Sequence, residues 1–242
     1  YVWWRYSETL NPNSYTSVIF TWLLIIAETY AFIVMLLGYF QVCWVLDRKP
    51  ASLPKDKERW PSVDIFIPTY NEPLDVVKPT VYAALTVDWP KEKLNVYILD
   101  DGSRKEFKDF ACEVGAGYIE REEHKHAKAG NINHAMGITK GDFIAIFDCD
   151  HVPVKTFLQK TMGWFLKDEK IALVQTPHHF YSHDPFEKNL HLKENVPNEN
   201  SLFHDFIQKG NDTWNATMFC GSCAIMRRKA LEEVGGIAVE TV

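Results

Sequence analysis

Apolar residues are distributed differently in the N-terminal part of the chain and in the remainder. Residues 14 to 46 form one apolar run with no Lys or Arg and a single acidic residue, Glu28. Crossing the hydrocarbon core of a membrane needs about 20 such residues, and helices buried in soluble proteins are rarely apolar on every face. The run therefore predicts a transmembrane helix, and Glu28 is expected to face another helix or a polar channel.

The charges on either side of this run predict its orientation. Only Arg5 precedes it, whereas residues 47 to 62 are rich in Lys, Arg and Pro. Basic flanks stay in the cytosol, so everything after residue 47 is expected to be cytosolic. The predicted segments are 1–13, extracytoplasmic or interfacial; 14–46, transmembrane; 47–62, a cytosolic linker; and 63–242, a globular domain that is incomplete at its C-terminal end.

Strand-like and helix-like patterns alternate from Val63 onward, which predicts an α/β fold with a mostly parallel sheet. The predicted strands are 63–68, 94–101, a short one near 117, 142–148 and 171–176. The predicted helices are 74–86, 104–114, 127–139 and 154–167. Polar residues 183 to 215 are expected to form a long excursion over the site.

The net charge and the cysteine spacing argue against several classes of protein. The formal net charge is −6, without a basic stripe, which argues against a nucleic-acid partner. The five cysteines follow no regular spacing, which argues against a disulfide framework. Cys220 and Cys223 have the thioredoxin spacing, but there is no second cysteine pair, so the sequence predicts neither redox nor zinc chemistry there.

Acidic residues follow three of the predicted strands, within 68–72, 100–103 and 148–151. Ligands of such sheets bind at the carboxyl ends of the strands. On an extended backbone Asp148 and Asp150 would point to the same side and share one divalent cation. Hard oxygen ligands suit Mg²⁺ or Mn²⁺, and His151 as a further ligand would favour Mn²⁺.

A basic segment at 124–131 would balance these acidic groups. Lys128 lies near the start of a predicted helix, where the helix N-terminus adds partial positive charge. The small residues Ala127, Ala129 and Gly130 indicate close approach by a ligand or by backbone. The pattern therefore predicts a diphosphate site beside the metal.

Taken together these segments resemble the processive family 2 glycosyltransferases, of the bacterial cellulose synthase type. The resemblance rests on motifs that occur in order along the chain: FIPTYNEP, ILDDGS, HAKAGNIN, FDCDHVP, QTPHHF, GNDTWNATMFCGS and GGIAVETV. It implies a GT-A type, Rossmann-like domain in the cytosol, anchored in the bacterial inner membrane. It also implies transfer of glucose from UDP-glucose to the non-reducing end of a growing β-1,4-glucan, coupled to export.

The resemblance assigns roles to individual residues. Thr69, Tyr70, Glu72 and Asp100 would contact the nucleotide, and Lys128 the diphosphate. Asp148 and Asp150, with Asp100, would form the catalytic set, and His151 would lie beside the metal. The glucan end would be seated by Phe219, Cys220, Gly221 and Ser222. Trp214 is a candidate for lining the acceptor path, and His178 and His179 receive no role.

This sequence departs from the family at its C-terminal end. The Thr-Glu-Asp motif that supplies the catalytic base and the Gln-X-X-Arg-Trp motif would both follow Val242. We therefore expect a fragment with little or no activity of its own. The family also implies a periplasmic membrane-anchored subunit, and a PilZ domain responsive to cyclic-di-GMP that this sequence does not contain.

Two alternatives stay open at the level of sequence. A synthase of chitin, hyaluronan or another β-glucan would share the acidic strand ends. A non-catalytic scaffold that binds nucleotide would not need them, yet the chain keeps Asp100, Lys128, Asp148 and Asp150. Binding of UDP that depends on a metal would separate an enzyme site from a scaffold.

Overall fold

The computed structural model describes residues 1–10, 12–182, 185–189 and 201–240. The chain divides into two compact units. Unit 1 combines Tyr1–Asp47 with Ser182–Thr217, and unit 2 combines Arg48–Tyr181 with Met218–Val242. Residues 182–217, which were expected to belong to the globular domain, thus group with the N-terminal segment. The predicted domain boundaries stay a prediction.

Unit 1 begins with helices α1 (Val2–Glu8) and α2 (Tyr15–Gln41). The Ser14 hydroxyl caps α2 by accepting a hydrogen bond of 3.1 Å from the backbone N–H of Ser17. Within the described residues, α2 is the one helix long and apolar enough to cross a membrane. Its large apolar side chains are mostly exposed, as expected of a helix that is solvated by lipid or by other helices.

Glu28, the only acidic residue of α2, is paired with α1. The Arg5 guanidinium donates to its carboxylate, with Nε 2.5 Å from Oε2, and the Tyr1 hydroxyl donates at 3.2 Å. This confirms the expectation that Glu28 faces another helix. An acidic group on an otherwise apolar helix is stabilised by such a cationic partner.

The later part of unit 1 packs against the end of α2. The Trp214 ring lies 5.1 Å from the Phe40 ring and 6.0 Å from the Trp44 ring, and its indole N–H donates to the Gln41 carbonyl at 3.2 Å. The elements here are α7 (Pro185–Asn189), a π-helical segment (Leu202–Gln208) and α8 (Lys209–Thr213). Trp214 is thus held by aromatic packing on α2.

Unit 2 is built on a six-stranded sheet, counted over the described residues, in the order β3-β2-β1-β4-β6-β5. The strands are β1 (Val63–Thr69), β2 (Leu94–Asp100), β3 (Gly117–Ile119), β4 (Phe143–Ile146), β5 (Leu173–Gln175) and β6 (Ala224–Arg227). The first four pair in parallel, and β6 pairs antiparallel with both neighbours. The predicted mostly parallel sheet is confirmed, but β6 was not predicted.

Helices cover both faces of this sheet. On one face α3, α4 and α6 pack on alternate strand residues such as Ile65 and Ile67, and on the other face α5 packs on Phe66. The bounds are α3 (Leu74–Leu85), α4 (Lys105–Val114), α5 (Ala127–Ile138), α6 (Phe157–Lys167) and α9 (Arg228–Glu233). Because β1 and β4 are buried on both sides, their sequences are apolar apart from Asp64 and Thr69.

Residues 48–62, which were expected to form a linker, pack along unit 2. Trp60 is 7% exposed and stacks on Trp89 with ring centroids 4.5 Å apart. The Arg48 guanidinium lies over the Trp164 ring at 5.5 Å. Short 3₁₀ turns follow at Lys57–Arg59 and Lys91–Lys93. This segment therefore contributes to the packing of unit 2.

A buried ion pair joins β1 to the first residue of α9, which directly follows β6, away from the carboxyl ends of the parallel strands. Asp64 is fully buried and accepts from the Arg228 guanidinium at 2.8 Å, from the Asn95 amide at 2.9 Å and from the Gly141 N–H at 2.7 Å. Buried charges are tolerated only when they are paired and hydrogen-bonded in this way. Arg228 thereby fixes the end of β6 against β1.

Candidate active site

A cavity of about 500 Å³ opens at the carboxyl ends of β1, β2 and β4. All three acidic segments predicted at strand ends contribute to its wall. The lining residues are Pro68, Thr69, Tyr70, Glu72, Val76, Asp101, His124, Ala127, Lys128, Asn131, Asp148, Cys149 and Asp150. The structure therefore brings together most of the predicted donor-site residues, namely Thr69, Tyr70, Glu72, Lys128, Asp148 and Asp150.

The loop after β1 is held by the Glu72 carboxylate. It accepts hydrogen bonds from the Tyr70 N–H at 2.8 Å and from the Thr69 hydroxyl at 2.9 Å. Desolvation by burial alone would raise the Glu72 pKa, but these bonds and the nearby Arg104 charge outweigh it and hold the pKa below its ordinary value. The phenol of Tyr70, which is 56% exposed, is left free to face a ligand in the cavity.

Asp100 lies behind the cavity wall rather than on it. Its fully buried carboxylate accepts from the Gly102 N–H at 3.0 Å, the Arg104 N–H at 2.7 Å, the Arg104 guanidinium at 2.8 Å and the Tyr118 hydroxyl at 3.0 Å. Burial first, and then the Asp100 charge, raise the Tyr118 pKa. Asp100 thus orders the turn after β2, and its predicted nucleotide contact stays a prediction.

Asp101, rather than Asp100, lines the cavity, and it forms a bidentate ion pair with Arg121. Arg121 Nη2 donates to Asp101 Oδ2 at 2.6 Å, and the same guanidinium donates to the carbonyls of Lys125 at 2.7 Å and Ala127 at 2.9 Å. These carbonyls bracket a turn in which His126 and Ala127 have φ of +62° and +40°. Such angles are uncommon outside glycine and need support of this kind.

This turn leads into α5 and positions Lys128. A Cβ on Gly130 would clash with the Lys125 carbonyl, so the close approach predicted at this glycine is confirmed, and the approaching group is backbone. The Lys128 ammonium donates to Asp148 Oδ1 and, at 2.6 Å, to the Gly221 carbonyl. Lys128 therefore connects α5, the end of β4 and the segment before β6.

Asp148 and Asp150 lie in a turn, because β4 ends at Ile146, and the His151 N–H donates to the Asp148 carbonyl at 2.9 Å. The extended backbone assumed from the sequence was wrong. Both carboxylates nevertheless line the cavity, with 36% and 65% of their side chains exposed. Their exposed oxygens face the same space as Lys128, which suits a hard divalent cation shared with a phosphate.

His151 is turned partly away from these carboxylates. Its Nδ1 lies 3.7 Å from Asp148 Oδ2 and its Nε2 lies 3.9 Å from Asp150 Oδ1, whereas Nδ1 is only 2.8 Å from the Ser222 hydroxyl. The predicted role of His151 as a ligand beside Asp148 and Asp150 stays a prediction. The Ser222 hydroxyl also accepts from the Asp148 N–H at 2.8 Å.

The residues predicted to seat the acceptor make contacts in two different places. Gly221 has φ +85°, and its carbonyl accepts from Lys128. The Ser222 hydroxyl bonds to the Asp148 N–H and to His151. Phe219 packs against the core on the α5 face, and the Cys220 N–H donates to Gln175 Oε1 at 2.9 Å. The acceptor role of these residues stays a prediction.

Two cysteines lie near the site, Cys149 buried and Cys223 half-buried. Burial, reinforced by the carboxylates of Glu72, Asp150 and Asp148, raises the Cys149 pKa to about 12. Burial likewise raises the Cys223 pKa to about 11. Neither thiol is activated as a nucleophile, because activation requires a lowered pKa.

Sequence reasoning missed several residues that shape the cavity. Arg104 and Arg121 hold the turns after β2 and before α5, and Gln175 links β5 to the Ser222 carbonyl at 2.8 Å. An Arg three residues after a predicted strand end, as in DDGSR, was the one local signal for Arg104. Arg121 and Gln175 act over long separations that no local pattern shows.

The family model described as "Glycosyl transferase family 2" matches residues 64–235. This chain belongs to glycosyl transferase family 2. The matched residues include the whole cavity wall and all six described strands except Val63, the first residue of β1. Family 2 membership and the cavity at the carboxyl ends of the strands thus concern the same part of the chain.

Among family 2 relatives, the chain is 58% identical to "Cellulose synthase catalytic subunit [UDP-forming]" of Xanthomonas axonopodis pv. citri (strain 306), over 100% of this chain and 33% of that protein. It is 54% identical to the protein of the same name in Pseudomonas fluorescens (strain SBW25), with the same coverage. The chain spans about a third of the length of these two curated relatives.

Solved structures support the family 2 fold. A mannosyltransferase from Pyrobaculum calidifontis, PcManGT, in complex with GDP-Man and Mn²⁺, matches with a TM-score of 0.58 and 22% identity, over 89% of this chain and 58% of that one. S. aureus TarS 1-349 matches with a TM-score of 0.53 and 14% identity, over 72% and 49%. These likenesses concern the fold alone and confirm the expected GT-A architecture.

Proposed function

We propose that this chain is the donor-binding part of a UDP-forming cellulose synthase, which transfers glucose from UDP-glucose to the end of a β-1,4-glucan in an inverting, processive reaction. The observation that carries the proposal is one cavity that combines Tyr70, Lys128, Asp148 and Asp150. The identity of 54–58% over the whole chain to proteins named as cellulose synthase catalytic subunits favours glucose over other donor sugars.

In this proposal the loop after β1 binds the nucleoside. The exposed Tyr70 ring offers an apolar face for a base, and the bonds of Glu72 to Thr69 and to the Tyr70 N–H fix the backbone that carries it. The cavity volume of about 500 Å³ falls in the range of small-molecule sites. Asp100 supports the same loop through Arg104, whose guanidinium donates to the Glu72 carbonyl at 2.6 Å.

Lys128 and the acidic pair would bind the diphosphate and its cation. Asp148 and Asp150 offer exposed carboxylate oxygens and no enclosing cage, which fits Mg²⁺ or Mn²⁺ with positions left for phosphate and water. The bound cation would supply charge neutralisation for the departing diphosphate. Lys128, now paired with Asp148, would add positive charge at the same place.

Attack by an acceptor hydroxyl requires a general base within hydrogen-bond reach. We assign that base to none of the described residues. Asp101 is engaged by Arg121, and Asp148 by Lys128. In this proposal the base belongs to the Thr-Glu-Asp motif that the family resemblance implies.

The membrane and the partners form part of the proposal as well. We propose that α2 spans the bacterial inner membrane, with unit 2 in the cytosol, because basic residues follow the helix. The glucan acceptor, a periplasmic membrane-anchored subunit and regulation by cyclic-di-GMP through a PilZ domain are expected of the complete enzyme.

The test is calorimetric titration of UDP into the detergent-solubilised chain, with Mg²⁺, with Mn²⁺ and with EDTA. We expect binding that requires the cation and that Asp150→Asn weakens by about tenfold or more, because that carboxylate would contact the ion directly. The matched control is Asp109→Asn, which removes an exposed carboxylate of α4 outside the cavity. It should leave UDP affinity unchanged.

The possible results separate the proposal from its alternatives. Equal UDP binding with and without a cation would indicate a nucleotide-binding scaffold. A folded chain that binds no UDP in any condition would overturn the donor-site assignment. Comparing UDP-glucose with UDP-N-acetylglucosamine as competitors for the same site would test the donor sugar.

A further inference from the structure

Beside the cavity, three metal-ligating side chains converge from distant parts of the chain. His151 follows β4, His178 follows β5 and Cys223 precedes β6. Their candidate ligand atoms all lie within 4.8 Å of one another. The two imidazole rings are 4.9 Å apart between centroids, and all three residues are half-buried, so the cluster is reachable from solvent.

The distance between Cys223 and His151 matches that between two ligands of a tetrahedral zinc ion. Cys223 Sγ lies 3.6 Å from His151 Nδ1. A tetrahedral zinc ion with Zn–S of about 2.3 Å and Zn–N of about 2.0–2.1 Å separates those two ligand atoms by about 3.5 Å. Thiolate and imidazole donors select Zn²⁺ or Co²⁺ over Mg²⁺, which prefers oxygen. The donor set therefore differs in kind from that of Asp148 and Asp150.

The backbone around the cluster is tied down on both sides. The Cys223 carbonyl accepts from the Thr176 hydroxyl at 2.7 Å, and the Ser222 carbonyl accepts from His178 Nε2 at 3.0 Å. Cys223 has φ +52°, a conformation that L-residues adopt rarely and that clusters at ligand sites. The thiol is thus held toward the histidines by a strained but well-bonded turn.

We infer that His151, His178 and Cys223 form a second cation site, which takes Zn²⁺ or another thiophilic divalent ion with water in the fourth position. The sequence argued against zinc because no second cysteine pair exists, but the missing ligands come from two histidines far away in the chain. His151 also lies within 3.9 Å of both acidic side chains, so an ion held here would fix that ring beside the proposed Mg²⁺ site.

The test uses Co²⁺ as a spectroscopic probe on the full chain after EDTA treatment, with no nucleotide present. We expect one equivalent to bind with visible bands of tetrahedral Co²⁺ and a thiolate-to-metal charge-transfer band in the near ultraviolet. One equivalent of Zn²⁺ should remove these bands, and an excess of Mg²⁺ should not. Because UDP plays no part, the outcome is independent of the proposed donor site.

Variants identify the ligands. Cys223→Ser should abolish the charge-transfer band, and His178→Ala should weaken Co²⁺ binding by at least about tenfold. Cys220→Ser and Cys112→Ser remove thiols outside the cluster and should keep the full spectrum. Circular dichroism shows whether each variant folds. If either Cys223→Ser or His178→Ala fails to fold, the other variant tests whether the cluster binds Co²⁺.

Two results would overturn the inference. The wild-type chain would show no charge-transfer band when Co²⁺ is added, in which case the 3.6 Å contact is only a thiol–imidazole hydrogen bond. Alternatively, a folded Cys223→Ser chain would retain the wild-type Co²⁺ spectrum, in which case the ion binds elsewhere.

Discussion

Arg121 and Asp101 form a bidentate ion pair in which the two residues are 8% and 6% exposed, and Arg121 also binds the two carbonyls that bracket the turn before Lys128. One guanidinium thereby satisfies a buried carboxylate and supports a strained turn. The position of Lys128 depends on a residue that itself lies outside the cavity wall. This relationship is the basis of the first prediction.

Arg121→Met should lower the free energy of unfolding of unit 2 by about 3–5 kcal/mol, because it leaves the buried Asp101 with only the half-exposed His124, 3.6 Å away, as a possible partner. It should also weaken UDP binding through the displaced turn. Chemical denaturation followed by tryptophan fluorescence, together with calorimetry, measures both effects. Lys108→Met removes an exposed ion pair with Glu120 and should cost under about 1 kcal/mol. Equal effects of the two substitutions would contradict the argument.

Gly130→Ala and Gly137→Ala form a matched pair within α5. A methyl group at Gly130 would clash with the Lys125 carbonyl, whereas the Cβ position at Gly137 has nothing within 4 Å. We expect Gly130→Ala to cost about 1–3 kcal/mol by overpacking and to reduce UDP affinity. Gly137→Ala should stabilise the helix by about 0.5–1 kcal/mol, with UDP affinity unchanged. Melting temperatures of both variants measure the change in stability, and calorimetry measures the change in UDP affinity.

The lowered pKa of Glu72 predicts a pH dependence of stability. A carboxyl group whose pKa is depressed by folding contributes stability above its ordinary value of about 4.5, and that contribution is lost as the pH falls through the folded-state pKa. Glu72→Gln should therefore flatten the fall in the free energy of unfolding below pH 4.5. Glu106→Gln, at an exposed position of α4, should leave the curve unchanged. If wild type and Glu72→Gln lost the same free energy of unfolding as the pH fell, the stabilising role of the Glu72 carboxylate would be refuted.

Cys149 should resist alkylation in the folded protein. With a pKa of about 12, only about one thiol in ten thousand is ionised at pH 8, and the side chain is buried as well. Iodoacetamide followed by peptide mass spectrometry should show rapid labelling of the exposed Cys112 and slow labelling of Cys149. The two rates should converge after denaturation. Similar rates in the native state would contradict the environment described for Cys149.

The sequence predicted the parallel part of the sheet well. Strands β1, β2 and β4 are mostly apolar, and the acidic residues at or after their ends must then meet at one edge. The helix predicted at 127–139 is present at Ala127–Ile138. These features follow from local patterns, so they are visible without coordinates.

The sequence did not reveal features that depend on distant pairing. The strand β6 has only four residues, and its partners in β4 and β5 lie some 50 to 80 positions earlier. The ion pair of Arg121 with Asp101 and the convergence of His151, His178 and Cys223 are likewise properties of the assembled sheet. The turn at Asp148 was missed because β4 stops two residues before it.

Strand β6 lies between β4 and β5 in the sheet, and this position sets an order of events during synthesis. Strands β3, β2, β1 and β4 pair in parallel and are complete once residue 146 is available, whereas β5 reaches the sheet only through β6. Until residues 224–227 leave the ribosome, one edge of β4 has no partner, and the Ser222 hydroxyl is not there to accept from Asp148. We therefore expect the side of the cavity formed by the loop after β1 to mature first and the side that holds Asp148 to form last.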